Sequence, residues 1–226
     1  MMADGSVLLR EVTVRYGRHI ALEAVSGEFA AGSLTAVVGV NGAGKSSLLA
    51  AIAGVVRLAR GAVDCPARQR LAYLPQRVAV DRDYPLTVSE LITLGGWREF
   101  GAFGSPSVAL RVRAAAAAET VGLAGRLGKS IGELSVGELQ RALFARLIVQ
   151  DATVILLDEP FAAVDAQTTS VLLDQVNRWH QEDRTVIAVL HDLALVRARF
   201  PQTLVLARHC MAWGTTGTVL PAMAPA

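Results

Sequence analysis

Eight residues, Gly39-Val40-Asn41-Gly42-Ala43-Gly44-Lys45-Ser46, follow the pattern G-x-x-x-x-G-K-[ST] directly after the apolar run Leu34 to Val38. Such a loop must turn successive backbone N–H groups toward a polyanion. That requires glycine where a Cβ would block the approach, and a helix N-terminus behind the loop. Lys45 adds a point charge for β and γ phosphates, and Ser46 offers a hydroxyl to the Mg2+ that accompanies them. The chemistry implied is the binding of a nucleoside triphosphate. A glycine-rich turn with an incidental lysine is the alternative; the apolar strand ahead and the helical run Lys45 to Ala53 behind weigh against it.

A second group of reactive residues closes the run Thr153-Val154-Ile155-Leu156-Leu157-Asp158-Glu159. Four consecutive apolar residues ending in two acids have the pattern of a central parallel strand, whose C-terminal end is expected to face the phosphates. One carboxylate, Asp158, can hold the Mg2+ shell while its neighbour, Glu159, polarises the attacking water. A cap on a helix after Pro160 would also use an Asp-Glu pair.

The elements that must position these groups alternate along the chain. Val7 to Tyr16 and, less cleanly, Ile20 to Ala30 alternate apolar and polar residues, which predicts a short antiparallel layer. A turn is expected at Arg60-Gly61, with short strands near Ala62 to Asp64 and Arg70 to Leu74. From Val88 to Val121 helical patterning is interrupted at Gly95-Gly96, Gly101 and Gly104-Ser105-Pro106, which predicts an inserted helical subdomain, about residues 88–150. Further helices are expected at 137–150, 166–179 and 192–199, a buried strand at 185–190 and a final hairpin at 204–213. This is an α/β chain with a doubly wound sheet.

The chain has 226 residues, 52% of them hydrophobic, and a formal net charge of +2. That supplies ample core for one domain with a nested subdomain. The charge is small and the arginines are scattered singly, so no nucleic acid partner is expected. No apolar run approaches the ~18 residues of a membrane span, and the N-terminus lacks the charged and apolar regions of a secretory signal. The expected location is therefore cytoplasmic. Cys65 and Cys210 are far apart and read as buried thiols; His209-Cys210 lacks a third metal ligand.

Leu134-Ser135-Val136-Gly137-Glu138-Leu139-Gln140-Arg141, placed between Gln76 and Asp158, makes the order of motifs specific. In that order the whole chain resembles the ATP-binding cassette (ABC) ATPases, a P-loop NTPase (RecA-like) fold with an N-terminal antiparallel β subdomain and an inserted helical one. The resemblance implies ATP and Mg2+ as ligands, with Gly39 to Ser47 around the phosphates and Ser46, Gln76 and Asp158 toward the magnesium. It further implies catalysis by Lys45, Gln76, Glu159 and His191, and adenine stacking on Tyr16. Ser135, Gly137, Glu138 and Asp165 would meet the ATP held by a second, identical protomer. Each residue also has a plainer reading: Tyr16 as a strand-end aromatic, Gln76 as a turn residue after Pro75, and Ser135, Asp165 and His191 as helix caps. Val136 stands where the family usually has glycine and Glu138 where it usually has glutamine, so the trans contact is expected to be altered. Val40 and Ser47 replace a common proline and threonine without touching the reacting groups.

The resemblance also implies a homodimeric energising subunit, peripheral on the inner face of the membrane and docked on an integral permease. The segment Arg77 to Val88, with Phe161 to Ala166 and Met211 to Thr216, resembles the version found in importers of zinc, manganese and related metals. ATP-driven import of a divalent transition metal, zinc slightly ahead of manganese, is thus expected, with an extracytoplasmic metal-binding protein as an indirect partner. Tyr84, Pro85, Trp97, Phe100 and Phe103 are candidates for the permease groove, against an ordinary subdomain core. A non-transport cassette ATPase of a scaffold such as a cell-division complex, and a small phosphate-loop kinase, are the other readings.

Overall fold

The computed structural model describes residues 4–67, 70–76, 84–162 and 164–220. They divide into two compact units, one of Met1–Gln76, Thr153–Pro160 and Arg178–Ala226, the other of Arg77–Ala152 and Phe161–Asn177.

The first unit is built on two sheets. β1 (Val7–Tyr16), β2 (His19–Phe29) and β4 (Arg60–Asp64) form an antiparallel sheet in the order β2-β1-β4. The larger sheet adds β3 (Leu34–Val38), β5 (Leu71–Leu74), β6 (Val154–Asp158), β7 (Thr185–Val189), β8 (Gln202–Ala207) and β9 (His209–Thr215) in the order β5-β6-β7-β3-β8-β9. The pairs from β5 to β8 are parallel, and β9 returns antiparallel to β8 as a hairpin. Every residue of β3, β6 and β7 is buried, which explains why they read as unbroken apolar runs instead of alternating ones. Helix α1 (Lys45–Ala53) lies between two left-handed glycines, Gly44 and Gly54, and packs Leu48, Leu49 and Ile52 into the core. Phe29 and Trp213 close that core with ring centroids 4.5 Å apart. Helices α7 (Leu193–Arg199) and α8 (Thr216–Val219) complete the unit.

The turn expected at Arg60-Gly61 is instead the start of β4. The β1–β4 register breaks between Arg10/Ala62 and Thr13/Arg60, a bulge, and Gly61 sits there at φ +85°. A Cβ on it would lie 2.3 Å from the carbonyl oxygens of Arg10 and Glu11. The glycine thus marks a close backbone approach within a ladder, which local sequence cannot tell from a turn.

The second unit is helical: α2 (Val88–Thr93), α3 (Trp97–Phe100), α4 (Val108–Thr120), α5 (Val136–Gln150) and the first turns of α6 (Ala166–Gln181). The starts of α2, α4 and α5 carry the side-chain caps their sequences supply. Thr87 with Glu90 and Ser135 with Glu138 form capping boxes, and Ser107 accepts from Leu110 N–H. The alanine-rich α4 buries Leu110, Ala114, Ala117 and Ala118, and packs against α2 and α5. Gly95 does not merely interrupt a helix: a Cβ there would sit 2.3 Å from Arg146 O, so its absence lets a 3-10 turn lie on α5. Among the described residues no helix is long and apolar enough to cross a membrane.

Candidate functional site

A cavity of about 580 Å³ opens at the C-terminal end of β3. The strand order places β7 between β3 and β6, so the phosphate loop leaves one strand while Asp158 ends the strand two places away. Ligand sites at the carboxyl ends of parallel strands are the general rule for such sheets. Tyr16, the loop residues Asn41 to Ser47, Gln76, Glu159 and His191 all line this one cavity, a size suited to a nucleotide.

Gly44 enters α1 at φ +93°, and a Cβ there would lie 2.3 Å from Ala21 O and 2.6 Å from Leu22 Cδ2. The loop is therefore seated against β2 by a residue with no side chain, and the first N–H groups of α1 are left toward the cavity. The Lys45 ammonium donates to Gly39 O at 2.8 Å and Val40 O at 3.1 Å, so its charge is held along the loop that would surround the phosphates. Burial lowers the Lys45 pKa, against the pull of Glu159 and Asp158, which raise it. Val40 itself is exposed, and Gly39 contributes its carbonyl.

Asp158 is 1% exposed. Burial pushes its carboxyl above the usual range and Glu159 adds to that. Hydrogen bonds from the Ser46 hydroxyl and the Gln76 backbone N–H, with the Lys45 charge, act the other way. Among the described residues its Oδ1 has no hydrogen-bond partner. A buried carboxylate oxygen without a partner, beside a serine hydroxyl, fits a divalent cation: Mg2+ is held by one or two protein oxygens while the nucleotide and water supply the rest. Among the described residues no group of three or more His, Cys, Asp or Glu could cage a metal alone. Tyr73, half-buried on β5, is pushed up to about 12 by burial and then by the Asp158 charge, so it stays a neutral phenol.

Glu159 is not a helix cap. It sits at φ 51°, an uncommon conformation for a side-chain-bearing residue, its N–H donating to Val189 O at 3.2 Å. His191 Nε2 lies 2.6 Å from Glu159 Oε1. The cap of α7 is Asp192, which accepts from Ala194 and Leu195 N–H, so His191 is free of that duty. A carboxylate oriented by an imidazole at the mouth of a phosphate cavity has the geometry to take a proton from water.

Ser135, Gly137, Glu138 and Asp165 belong to the second unit. Ser135 and Glu138 bond reciprocally at the start of α5, and Asp165 caps α6 through Thr168. Those Thr168 hydrogen bonds hold the Asp165 carboxyl below its usual range. The plainer cap readings of these residues are thus structural facts. Of the docking segment, 77–83 lie outside the described residues. The following stretch is anchored by Ile131 N–H to Leu86 O and by Val88 N–H to Lys129 O. Tyr84, Trp97 and Phe103 are exposed, which a subdomain core would not leave so, and Trp97 meets Phe100 edge-on at 5.3 Å. Sequence reasoning missed His19 and Ala21, which also line the cavity. The tight hairpin pairing Tyr16 with His19 was the available signal.

Residues 22–162, more than half of the chain, match the ABC transporter family. The chain belongs to that family, and it is an ATPase. It is 34% identical over 212 residues to the manganese transport system ATP-binding protein MntB of Listeria monocytogenes, covering 91% of this chain and 88% of that one. To the zinc transport system ATP-binding protein TroB of Treponema pallidum it is 37% identical over 215 residues, covering 92% and 81%. Its fold superimposes with a TM-score of 0.82 on a solved ABC transporter in an inward-facing conformation, at 24% identity over 95% of this chain and 85% of that chain.

Proposed function

We propose that this chain is the ATP-hydrolysing subunit of an importer of a divalent transition metal, zinc or manganese, and that it works as a homodimer beneath a separate membrane permease on the cytoplasmic face. The observation that carries the catalytic part is Asp158 with its unpartnered Oδ1 beside Ser46, next to Glu159 held by His191. In this reading Lys45 and the N–H groups of the loop bind the phosphates, and Ser46, Asp158 and Gln76 face the Mg2+. Glu159 takes the proton of the attacking water, His191 orients it, and Tyr16 stacks on adenine. Mg2+, when bound, offsets the charge that develops on the phosphates.

Ser135, Gly137, Glu138 and Asp165 would approach the ATP of the opposite protomer. The metal as cargo is supported by the two relatives that transport manganese and zinc, each aligned over more than nine-tenths of this chain. An extracytoplasmic metal-binding protein would deliver that cargo; no nucleic acid takes part.

Proteoliposomes containing the subunit, its genomic-neighbour permease and luminal-side binding protein test this directly. ATP should drive accumulation of radioactive zinc or manganese, and Glu159→Gln should abolish it. ATP hydrolysis that neither metal stimulates, with no accumulation of either, would remove the metal reading while leaving the ATPase intact.

A further inference from the structure

The start of α5 carries a negative charge at the place where a phosphate is expected to arrive. Ser135 N–H donates to Glu138 Oε2 at 2.9 Å, and Glu138 N–H donates to Ser135 Oγ at 3.2 Å. The other oxygen, Glu138 Oε1, lies 3.1 Å from Arg126 Nε. Arg141 is the second cation felt by Glu138, but its Nη1 is turned to Val121 O at 3.3 Å. Val136, 64% exposed, adds no polar group to this helix end. An unpaired carboxylate here would repel a triphosphate and compete with it for the Ser135 donors.

Arg126 is well placed to prevent that. It ends a 3-10 turn, Ala124–Arg126, whose backbone is fixed on both sides by Arg126 N–H to Leu123 O and Lys129 N–H to Arg126 O. Its guanidinium is therefore delivered to Glu138 from a rigid position outside every recognised motif. We infer that Arg126 is a positioning residue for the nucleotide at Ser135: by pairing with Glu138 Oε1 it neutralises the carboxylate and makes glutamate at position 138 compatible with a trans phosphate. The inference rests on the two-protomer reading proposed above.

Its magnitude follows from Coulomb's law. One uncompensated charge about 6 Å from a phosphate oxygen in water-like dielectric weakens binding roughly threefold. A symmetric dimer has two such pockets, so dimerisation weakens by about tenfold. The test is sedimentation velocity of the Glu159→Gln protein with ATP and Mg2+, giving the monomer–dimer constant for added Arg126→Gln, Arg126→Lys, Glu138→Gln and Arg126→Gln/Glu138→Gln. Arg126→Gln should weaken the dimer about tenfold. Arg126→Lys should recover most of the loss, and the Arg126→Gln/Glu138→Gln protein, whose local charge is again zero, should dimerise as tightly as the parent. An ion pair that served only to hold the start of α5 would be lost alike in Arg126→Gln, Glu138→Gln and the double variant, and removing the carboxylate would not rescue the dimer. Dimerisation of Arg126→Gln as tight as the parent, or a double variant as weak as Arg126→Gln, would overturn the inference alone. A parent that stays monomeric with ATP would refute the two-protomer reading and the inference with it.

Discussion

Replacing Asp158 by asparagine should destroy turnover and yet make the nucleotide-free protein more stable. The carboxyl is buried, its Oδ1 lacks a partner among the described residues, and Glu159 repels it. An orphaned buried acceptor costs about 1–3 kcal/mol, more when charged. Asparagine keeps an acceptor for the Ser46 hydroxyl and the Gln76 N–H, removes the charge, and gives up the attraction of Lys45. The net gain is about 1 kcal/mol, or a rise in Tm of about 2–4 °C for a chain of this length.

The sign of the pH dependence follows from the raised folded-state pKa. Between the ordinary value of 3.8 and that raised value the folded protein binds the proton more tightly than the unfolded chain. Wild-type stability from this group is therefore fully present below 3.8 and is lost as pH rises through the folded value. The Asp158→Asn variant lacks this loss, so its advantage should open with rising pH and then level off. Thermal unfolding from acid to mildly alkaline pH measures it, without nucleotide and with ATP and Mg2+. The ligands should stabilise wild type far more than the variant, because the proposed cation contact uses that charge. A variant less stable than wild type at neutral pH, or an advantage that does not grow with pH, would show that burial is not what dominates Asp158.

Two further substitutions separate conformational from steric demands in the phosphate loop. Gly44→Ala should lose about 2–5 kcal/mol in urea unfolding of the nucleotide-free protein, because it combines a left-handed backbone with a Cβ clash. Gly42→Ala has φ +80° but nothing within 4 Å of its Cβ, so it should lose only about 1–2 kcal/mol; equal losses would refute the seating of the loop on Ala21 and Leu22. Glu159→Gln should retain ATP in a fluorescent-nucleotide titration while hydrolysis falls by about 10²–10⁴, and near-normal turnover would remove Glu159 as the base.

Much of this protein is written in local residue patterns. The Gly39 to Ser46 spacing, the apolar runs of β3, β6 and β7, and the caps at Ser135 and Asp165 are legible because short-range sterics, burial and helix-end hydrogen bonding act on neighbours in the chain. Periodicity reports which residues are buried, but not beside what. The insertion of β7 between β3 and β6, which decides where the Asp158-Glu159 pair stands relative to the loop, is a matter of strand order. So is the pairing of His191 with Glu159, thirty-two positions apart. The bulge at Gly61 and the reach of Arg126 to Glu138 likewise depend on which backbones the packing brings together. Sequence alone named the groups expected to meet a nucleotide and Mg2+. Only the tertiary structure decided which carboxylate is buried, which is held by an imidazole and which is neutralised by a guanidinium, because desolvation and Coulomb forces depend on distance in space.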